Sequence, residues 1–325
     1  MRIAYYVHGR GRGHASRSSA VMGRLRGEGF EISACGGGDA EAVLCTQPDY
    51  THVETVAPGP GLLRRVARRF CADRARLSAT RPDCVISDGD MPSVLAARSL
   101  GIPVVGIGHD LVFSRCRLPS DLCARSLWKQ RGNAFHTGLI GAGVAVNFVP
   151  LEGTSERFVV ARPDIRAEWE GSVRRQGHIV AYFRDANGAP VLEELVRAGR
   201  KVILYGACFD APAGVEVRPF DVSSFARTLA SADAAVGSSG SNLIAECLAL
   251  GIPMLALYRE DDAEQRLNAG MLEASNAGVG CSFDEVSSRC VHRFLRRVDG
   301  VEFSRVDMSR MVSASDAMVS VLRGL

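Results

Sequence analysis

Short apolar runs alternate along the chain with longer stretches whose apolar residues recur at helical spacing. Ile3–Val7, Glu31–Cys35, Cys84–Ser87 and Val104–Ile107 read as strands, with helices from Ala15, near Leu62–Leu77 and from Pro92 between them. A less regular stretch near Asp110–Gly143 follows, and the run Val144–Val149 closes this first series. The pattern restarts with strands at His178–Phe183, Lys201–Tyr205, Ala234–Val236 and Met254–Leu257. Helices at Pro190–Ala198, Val222–Ala230, from Asn242 and at Ala263–Ser275 separate and follow them. Alternation of this kind predicts parallel strands joined by crossover helices.

The polar segment ARPDIRAEWEGSVRRQG, residues 161–177, has no strand period and reads as a linker between residues 1–160 and a second domain at 178–305. Each half repeats one unit, SVLAARSLGIPVVGI and NLIAECLALGIPMLAL, in which a helix ends at Leu-Gly-Ile-Pro and an apolar strand begins. Glycine suits the helix C-terminus and proline forbids continuation. The expected fold class is therefore α/β, with two Rossmann-like doubly wound parallel-sheet domains facing a central cleft. Ligands of such sheets lie at the carboxyl ends of the strands.

Composition narrows the class. In 325 residues, 46% are hydrophobic and 23% charged, and no apolar run approaches membrane-spanning length, so a globular cytoplasmic protein is expected. The ten cysteines stand singly and pair with no histidine at zinc spacing, which predicts reduced thiols and no metal cage. A net charge of +3 gives no electrostatic case for a nucleic-acid partner.

The first strand runs into VHGRGRGHASR, with glycines at Gly9, Gly11 and Gly13. A dinucleotide fingerprint would need its third glycine where His14 stands, and no Gly-Lys-Ser/Thr follows, so neither nicotinamide nor P-loop chemistry is indicated. The segment instead offers backbone that a ligand can approach, an imidazole at the top of the sheet, and a helix N-terminus. His14 is thus a candidate general base. A carboxylate could orient it: Asp88, ending the strand of ISDGD, or Asp110, in GIGHD after the next strand. Helix or turn capping is the plain alternative for both aspartates.

In the second half, a buried strand ends in Gly237-Ser238-Ser239-Gly240-Ser241 directly before a helix. Small residues with free N–H groups at a helix start form a diphosphate cradle, here Ser238, Ser239, Gly240, Ser241 and Asn242. Glu246 sits in an otherwise apolar run, where a carboxylate needs a partner; a ribose diol would supply one, as would an arginine. Asp261, Asp262, Glu264 and Gln265 cluster after the next strand, either to read a polyhydroxylated ligand or to start a helix.

Together, GRGRGHASR, GSSGSNLIAECLALGIPML and EQRLNAGMLEASNAGVG resemble the GT-B nucleotide-sugar glycosyltransferases of the MurG-like and UDP-glycosyltransferase group. The resemblance implies an inverting transferase that needs neither cofactor nor metal, moving a sugar from a UDP-sugar or other nucleoside-diphosphate sugar to a hydroxyl of a small-molecule or saccharide acceptor. It implies His14 as base, the 238–242 loop on the diphosphate, Glu246 on the ribose, Phe220 beside the base, and Glu264 with Gln265 on the donor sugar. Gly11, Gly13 and Arg17 fall beside the acceptor, and Arg17 or Arg184 would serve phosphate, since Ser238 stands where many relatives carry histidine. The last helix, residues 306–325, would pack back on the first domain, and the protein would be a monomer or homodimer.

Three readings compete. A phosphorylase needs a cofactor-binding lysine, and neither Lys129 nor Lys201, the only two, is placed for it. A nucleotide-sugar 2-epimerase would share the architecture, as would a non-catalytic nucleotide-sugar-binding subunit. The basic stretch LLRRVARRFCADRAR raises contact with a membrane surface, against the favoured reading of a solvated basic face with Leu63, Val66, Ala67 and Phe70 packed inward.

Overall fold

A computed structural model describes residues 1–10, 12–57, 59–164, 175–184, 187–206 and 208–325. They divide into two compact units. One comprises Met1–Leu118, Gln130–Asp164 and Met311–Leu325, the other Pro119–Lys129 and Ile165–Arg310.

The first unit holds a seven-stranded sheet of β1 (Arg2–Val7), β2 (Glu31–Gly36), β3 (Tyr50–His52), β4 (Cys84–Asp88), β5 (Val104–Gly108), β6 (Ala142–Val146) and β7 (Phe158–Ala161). Its spatial order is β3-β2-β1-β4-β5-β6-β7, and every pairing is parallel. The second unit holds β8 (His178–Tyr182), β9 (Lys201–Tyr205), β10 (Val215–Arg218), β11 (Ala234–Ser238), β12 (Met254–Tyr258) and β13 (Gly278–Ser282), ordered β10-β9-β8-β11-β12-β13. Both are Rossmann-like doubly wound sheets. In each the chain reverses direction beside the first strand, between β1 and β4 and between β8 and β11, and crevices at such switch points are where ligands bind.

The central strands are buried along their whole length on both faces, which is why they read as continuous apolar runs. The strands that the hydrophobic pattern missed are of another kind. β10 (VEVR) lies at an edge with half its residues exposed, β3 has three residues, and β13 (GVGCS) has small side chains because a Cβ on Gly278 would come within 2.3 Å of the Met254 carbonyl. The run expected to close the first sheet is β6, and β7 lies outside it. The stretch expected to be irregular carries helices at Asp110–Arg115 and Ala124–Asn133.

The repeated Leu-Gly-Ile-Pro unit has one geometry in both halves. Gly101 and Gly251 take φ of 71° and 62°, and the amides of Ile102 and Ile252 donate to Ala97 and Cys247 at 3.0 and 2.8 Å, closing each helix with a Schellman turn. The carbonyls of Pro103 and Pro253 then accept from Val85 and Ala235, so each proline starts its strand in register.

The C-terminal helix Ala314–Arg323 belongs to the first unit. Ala314, Ala317, Met318 and Leu322 enter the core shared with Val21, Met22 and Leu25 of the helix Arg12–Gly27, and Arg24 pairs with Asp316 at 3.0 Å.

The basic helix Leu62–Thr80 corrects the sequence reading. Leu63 is 83% exposed, Ala67 is exposed, Val66 and Phe70 are half-buried, and the side turned inward carries Arg69, Asp73 and Leu77. Arg69 donates to Asp73 at 2.9 Å, to Asp90 at 3.1 Å and to the Glu54 carbonyl. Hydrophobic period placed the face incorrectly because a buried ion pair, absent from any apolar count, occupies it. Burial still pushes the Asp73 carboxyl up to about 6 against the pull of Arg69. Among the described residues, no helix is long and apolar enough to cross a membrane.

Candidate active site

At the switch point of the first unit, β1 leads through His8 and Gly9 into the helix Arg12–Gly27. A Cβ on Gly9 would lie 2.0 Å from the Gly37 carbonyl, so this glycine lets the β1 turn pass close to the turn after β2. Gly11 lies outside the described residues, and Gly13 sits in the first turn of the helix. His14, Arg17 and Ser18, at spacings of three and four, occupy one helix face. All three meet Asp88, the last residue of β4, whose neighbour across the β1–β4 ladder is Val7.

The Asp88 carboxylate is fully buried and lies within hydrogen-bond distance of four side-chain atoms. His14 Nδ1 lies 2.7 Å from Oδ1, Arg17 Nη2 donates to Oδ1 at 2.5 Å and Nε to Oδ2 at 3.2 Å, and Ser18 Oγ donates to Oδ2 at 2.7 Å. Burial alone would raise the Asp88 pKa, but the Arg17 guanidinium and the His14 imidazole hold it well below the ordinary carboxylate range. For His14, burial lowers the pKa, Asp88 raises it more, and Arg17 pulls part of the gain back, leaving it above its ordinary value. His8, whose ring centroid is 5.8 Å from that of His14, moves the other way through burial and its imidazole neighbour.

Asp110 takes a separate place. It opens the helix Asp110–Arg115 and accepts from Gln130 Nε2 at 3.1 Å. Arg17, expected beside an acceptor or a phosphate, is bound to Asp88 instead, because burial of the carboxylate requires a cation. In the Asp-Gly-Asp sequence, Asp90 caps the helix Met91–Ser99 through the Ser93 amide and binds Arg69, so both carboxylates of the motif are engaged by cationic side chains.

In the second unit, β11 runs through Ser238 and Ser239 into the helix Ser241–Ala249. Ser238 Oγ accepts from the Arg184 amide at 3.3 Å, linking the ends of β8 and β11. Ser239 is a brace of the loop. Its single hydroxyl proton is shared between the carbonyls of Leu257 (3.0 Å) and Gln265 (2.9 Å), its amide donates to Leu257 (2.8 Å), and its carbonyl accepts from Asn268 Nδ2 (3.0 Å). Its side chain therefore faces away from any ligand of the cradle. No side chain caps the helix at Gly240, so the amides that follow, from Ser241 and Asn242, are those an anion would meet.

Glu246 lies one turn beyond Asn242 on the same half-exposed face, while Leu243, Ile244, Ala245, Cys247 and Leu248 are buried. The apolar residues expected around the carboxylate are on the buried side of the helix, which turns Glu246 outward. Phe220 is 42% exposed and packs on Tyr182 and Phe225 with centroids 5.4 and 5.6 Å apart. Asp262 caps the helix Ala263–Ala274 through the Gln265 amide at 3.1 Å, the plain reading of that acid. Glu264 is half-buried in its first turn. Gln265 is buried against Ser239 with its Oε1 unpartnered among the described residues.

Ser18 and Asn268 were not legible as site residues. Ser18 is signalled only by its helical spacing from His14, and Asn268 by a polar residue on the inward side of a helix.

The family model of glycosyl transferase family 1 matches residues 50–299. The chain belongs to that family. A glycosyltransferase of Methanosarcina acetivorans is 26% identical over 343 residues, spanning 91% of this chain and 88% of its own. Two solved structures share the fold of this glycosyltransferase. MurG of Acinetobacter baumannii is 16% identical with a TM-score of 0.67, covering 100% of this chain and 99% of its own. The glycosyltransferase VinC, in complex with dTDP, is 14% identical with a TM-score of 0.66, covering 99% of each chain. The two Rossmann-like sheets of this glycosyltransferase are accordingly those of the GT-B fold.

Proposed function

We propose that this glycosyltransferase moves a sugar, with inversion, from a pyrimidine nucleoside-diphosphate sugar to a hydroxyl of a small-molecule or saccharide acceptor, with His14 as base. The observation that carries this reading is the contact between His14 Nδ1 and Asp88. With Nδ1–H donated to the carboxylate, Nε2 is left as the basic nitrogen on a side chain that is 28% exposed.

An acceptor hydroxyl is a weak nucleophile until its proton is taken. Its oxygen attacks the anomeric carbon opposite the diphosphate, the proton passes to His14 Nε2, and Asp88 stabilises the imidazolium. The bond to the diphosphate breaks with its electron pair, and the uncapped helix at Gly240 offers amides and dipole to that charge. Proton removal and leaving-group stabilisation thus each have a protein group, so the reading needs no metal and no cofactor.

Donor recognition is assigned to the second unit: Ser241 and Asn242 amides on the diphosphate, Glu246 on the ribose diol, and Phe220 with Tyr182 as an aromatic platform for the base. Glu264 and the unpartnered Gln265 Oε1 are assigned to the sugar hydroxyls. The dTDP bound by VinC supports a pyrimidine diphosphate, and UDP remains the favoured donor nucleotide. Calorimetric titration with UDP, dTDP, GDP and ADP, each with and without magnesium, tests the assignment. Metal-independent binding of one pyrimidine diphosphate is expected, and binding of none would remove the donor site from the second unit. A 2-epimerase would instead release epimerised sugar with no acceptor present.

A further inference from the structure

We propose that Arg17 is a positioning residue of the transfer reaction: its guanidinium holds Asp88 as a fixed anion and thereby sets which nitrogen of His14 faces the acceptor. The inference rests on the reading of His14 as base.

The geometry is a fork. Nη2 and Nε of Arg17 reach the two oxygens of Asp88 at 2.5 and 3.2 Å, and Nη2 also lies 3.2 Å from His14 Nδ1. A carboxylate held by a guanidinium can only accept, so the 2.7 Å approach of Nδ1 to Oδ1 calls for a proton on Nδ1. At the longer 3.2 Å contact, Arg17 Nη2 then lies beside the ring nitrogen without donating to it. Were Nδ1 bare, its lone pair would oppose that oxygen at 2.7 Å. Proton transfer onward to Asp88 is opposed as well, because it would leave the buried guanidinium without its counterion.

The fold makes room for this pair. Gly108, the last residue of β5, has φ of 144°, and a Cβ there would lie 3.2 Å from Asp88 Oδ1 and 3.5 Å from Arg17 Nη2. Glycine at this position leaves space for an arginine as well as an aspartate beside the imidazole.

Charge gives the arrangement its consequence. A lone buried Asp88 would bind the His14 proton strongly and leave the base already protonated near neutrality, whereas the Arg17–Asp88 pair is neutral overall. Besides Asp88 and Arg17, His14 has the His8 ring 5.8 Å away, and it feels the charge of Asp110 in the helix after β5, although that carboxylate is bonded to Gln130. The charge of Asp90 acts on His8, and Tyr5 and Asp110 act on Arg17.

The test is an NMR titration of the His14 imidazole in the full chain, assigned by the signal lost in His14→Ala, with ring 15N shifts reporting the tautomer. The wild type is expected to hold the proton on Nδ1. In Arg17→Gln the proton affinity of His14 should rise about tenfold, since one unit of pKa is the size of effect that removing a neighbouring charge produces. Arg17→Lys should give a smaller rise, because a point charge cannot fork both oxygens. If Arg17→Gln does not fold, the lysine variant decides alone. An unmoved or lowered His14 titration in the folded variants, or a wild-type proton on Nε2, would overturn the inference and leave Arg17 a packing residue. The titration needs no turnover, so failure of the base reading, seen as full activity in His14→Ala, remains a separate result.

Discussion

His14 Nδ1 and Asp88 Oδ1 lie 2.7 Å apart although 74 residues separate them in the chain. The contact exists because β1 and β4 are paired in parallel across the switch point, which sets the helix after β1 beside the last residue of β4. An imidazole at the surface of that crevice is thereby backed by a carboxylate with no access to water.

Replacing His14 with alanine should lower turnover by about 10²–10⁴-fold, the usual contribution of a general base. Affinity for the nucleoside diphosphate should stay within about twofold of wild type, because the groups assigned to the donor belong to the second unit. Steady-state kinetics together with calorimetry check both halves, and lost nucleotide binding would move His14 to the donor site.

Asp88→Asn should be costly twice over. It removes the charge that supports an imidazolium and leaves the buried Arg17 unpaired, for a loss of about 3–5 kcal/mol of stability. The pH dependence follows from a folded pKa held below the ordinary 3.8. For such an acid the stabilisation is complete above the unfolded pKa and disappears as pH falls through the folded one. Urea unfolding of both proteins from about pH 5 downward should therefore show the difference shrinking below about pH 4. A difference that grew on acidification would contradict the pairing.

Phe220→Ala and Glu246→Ala should each weaken binding of the preferred nucleoside diphosphate, by about 1–2 kcal/mol, while leaving the His14 titration in place. The deoxyribose of dTDP has no 2′-hydroxyl, so loss of Glu246 should penalise UDP more than dTDP. Equal losses on both would remove Glu246 from the ribose diol.

Two glycines make a contrasting pair. Gly108→Ala meets Asp88 and Arg17 at a φ that disfavours any side chain, and should cost about 1–3 kcal/mol and reduce turnover. Gly23→Ala lies inside the helix Arg12–Gly27 with nothing within 4 Å of a Cβ, and should stabilise by about 0.5–1 kcal/mol. Thermal unfolding of the two variants reads the opposite signs directly.

Arg69→Ala should destabilise by about 3–5 kcal/mol, since it strips Asp73 and Asp90 of their common cation in a buried setting. Removal of Arg68, 68% exposed in its pair with Glu54, should change stability by less than about 1 kcal/mol. Chemical denaturation distinguishes this inward arginine from the solvated basic face expected from the helix pattern.

Much of this protein was decided locally and could be read from the chain. The alternation of apolar runs with amphipathic stretches determined parallel α/β sheets, because a strand buried on both faces must be apolar throughout. The repeated Leu-Gly-Ile-Pro determined two helix stops and two strand starts, since glycine permits the left-handed turn and proline ends the helix. Residue types at strand ends nominated His14, Asp88 and the serine-rich loop. Tertiary structure decided what depends on which strands are neighbours and on which way a helix is turned. It chose Asp88 over Asp110 for His14, enclosed Arg17 and Arg69 with carboxylates from other elements, turned Ser239 into a brace and set Glu246 on an open face. Hydrogen bonds and ion pairs between distant segments leave no periodic mark in a sequence, because each is a single contact fixed by strand order and helix rotation.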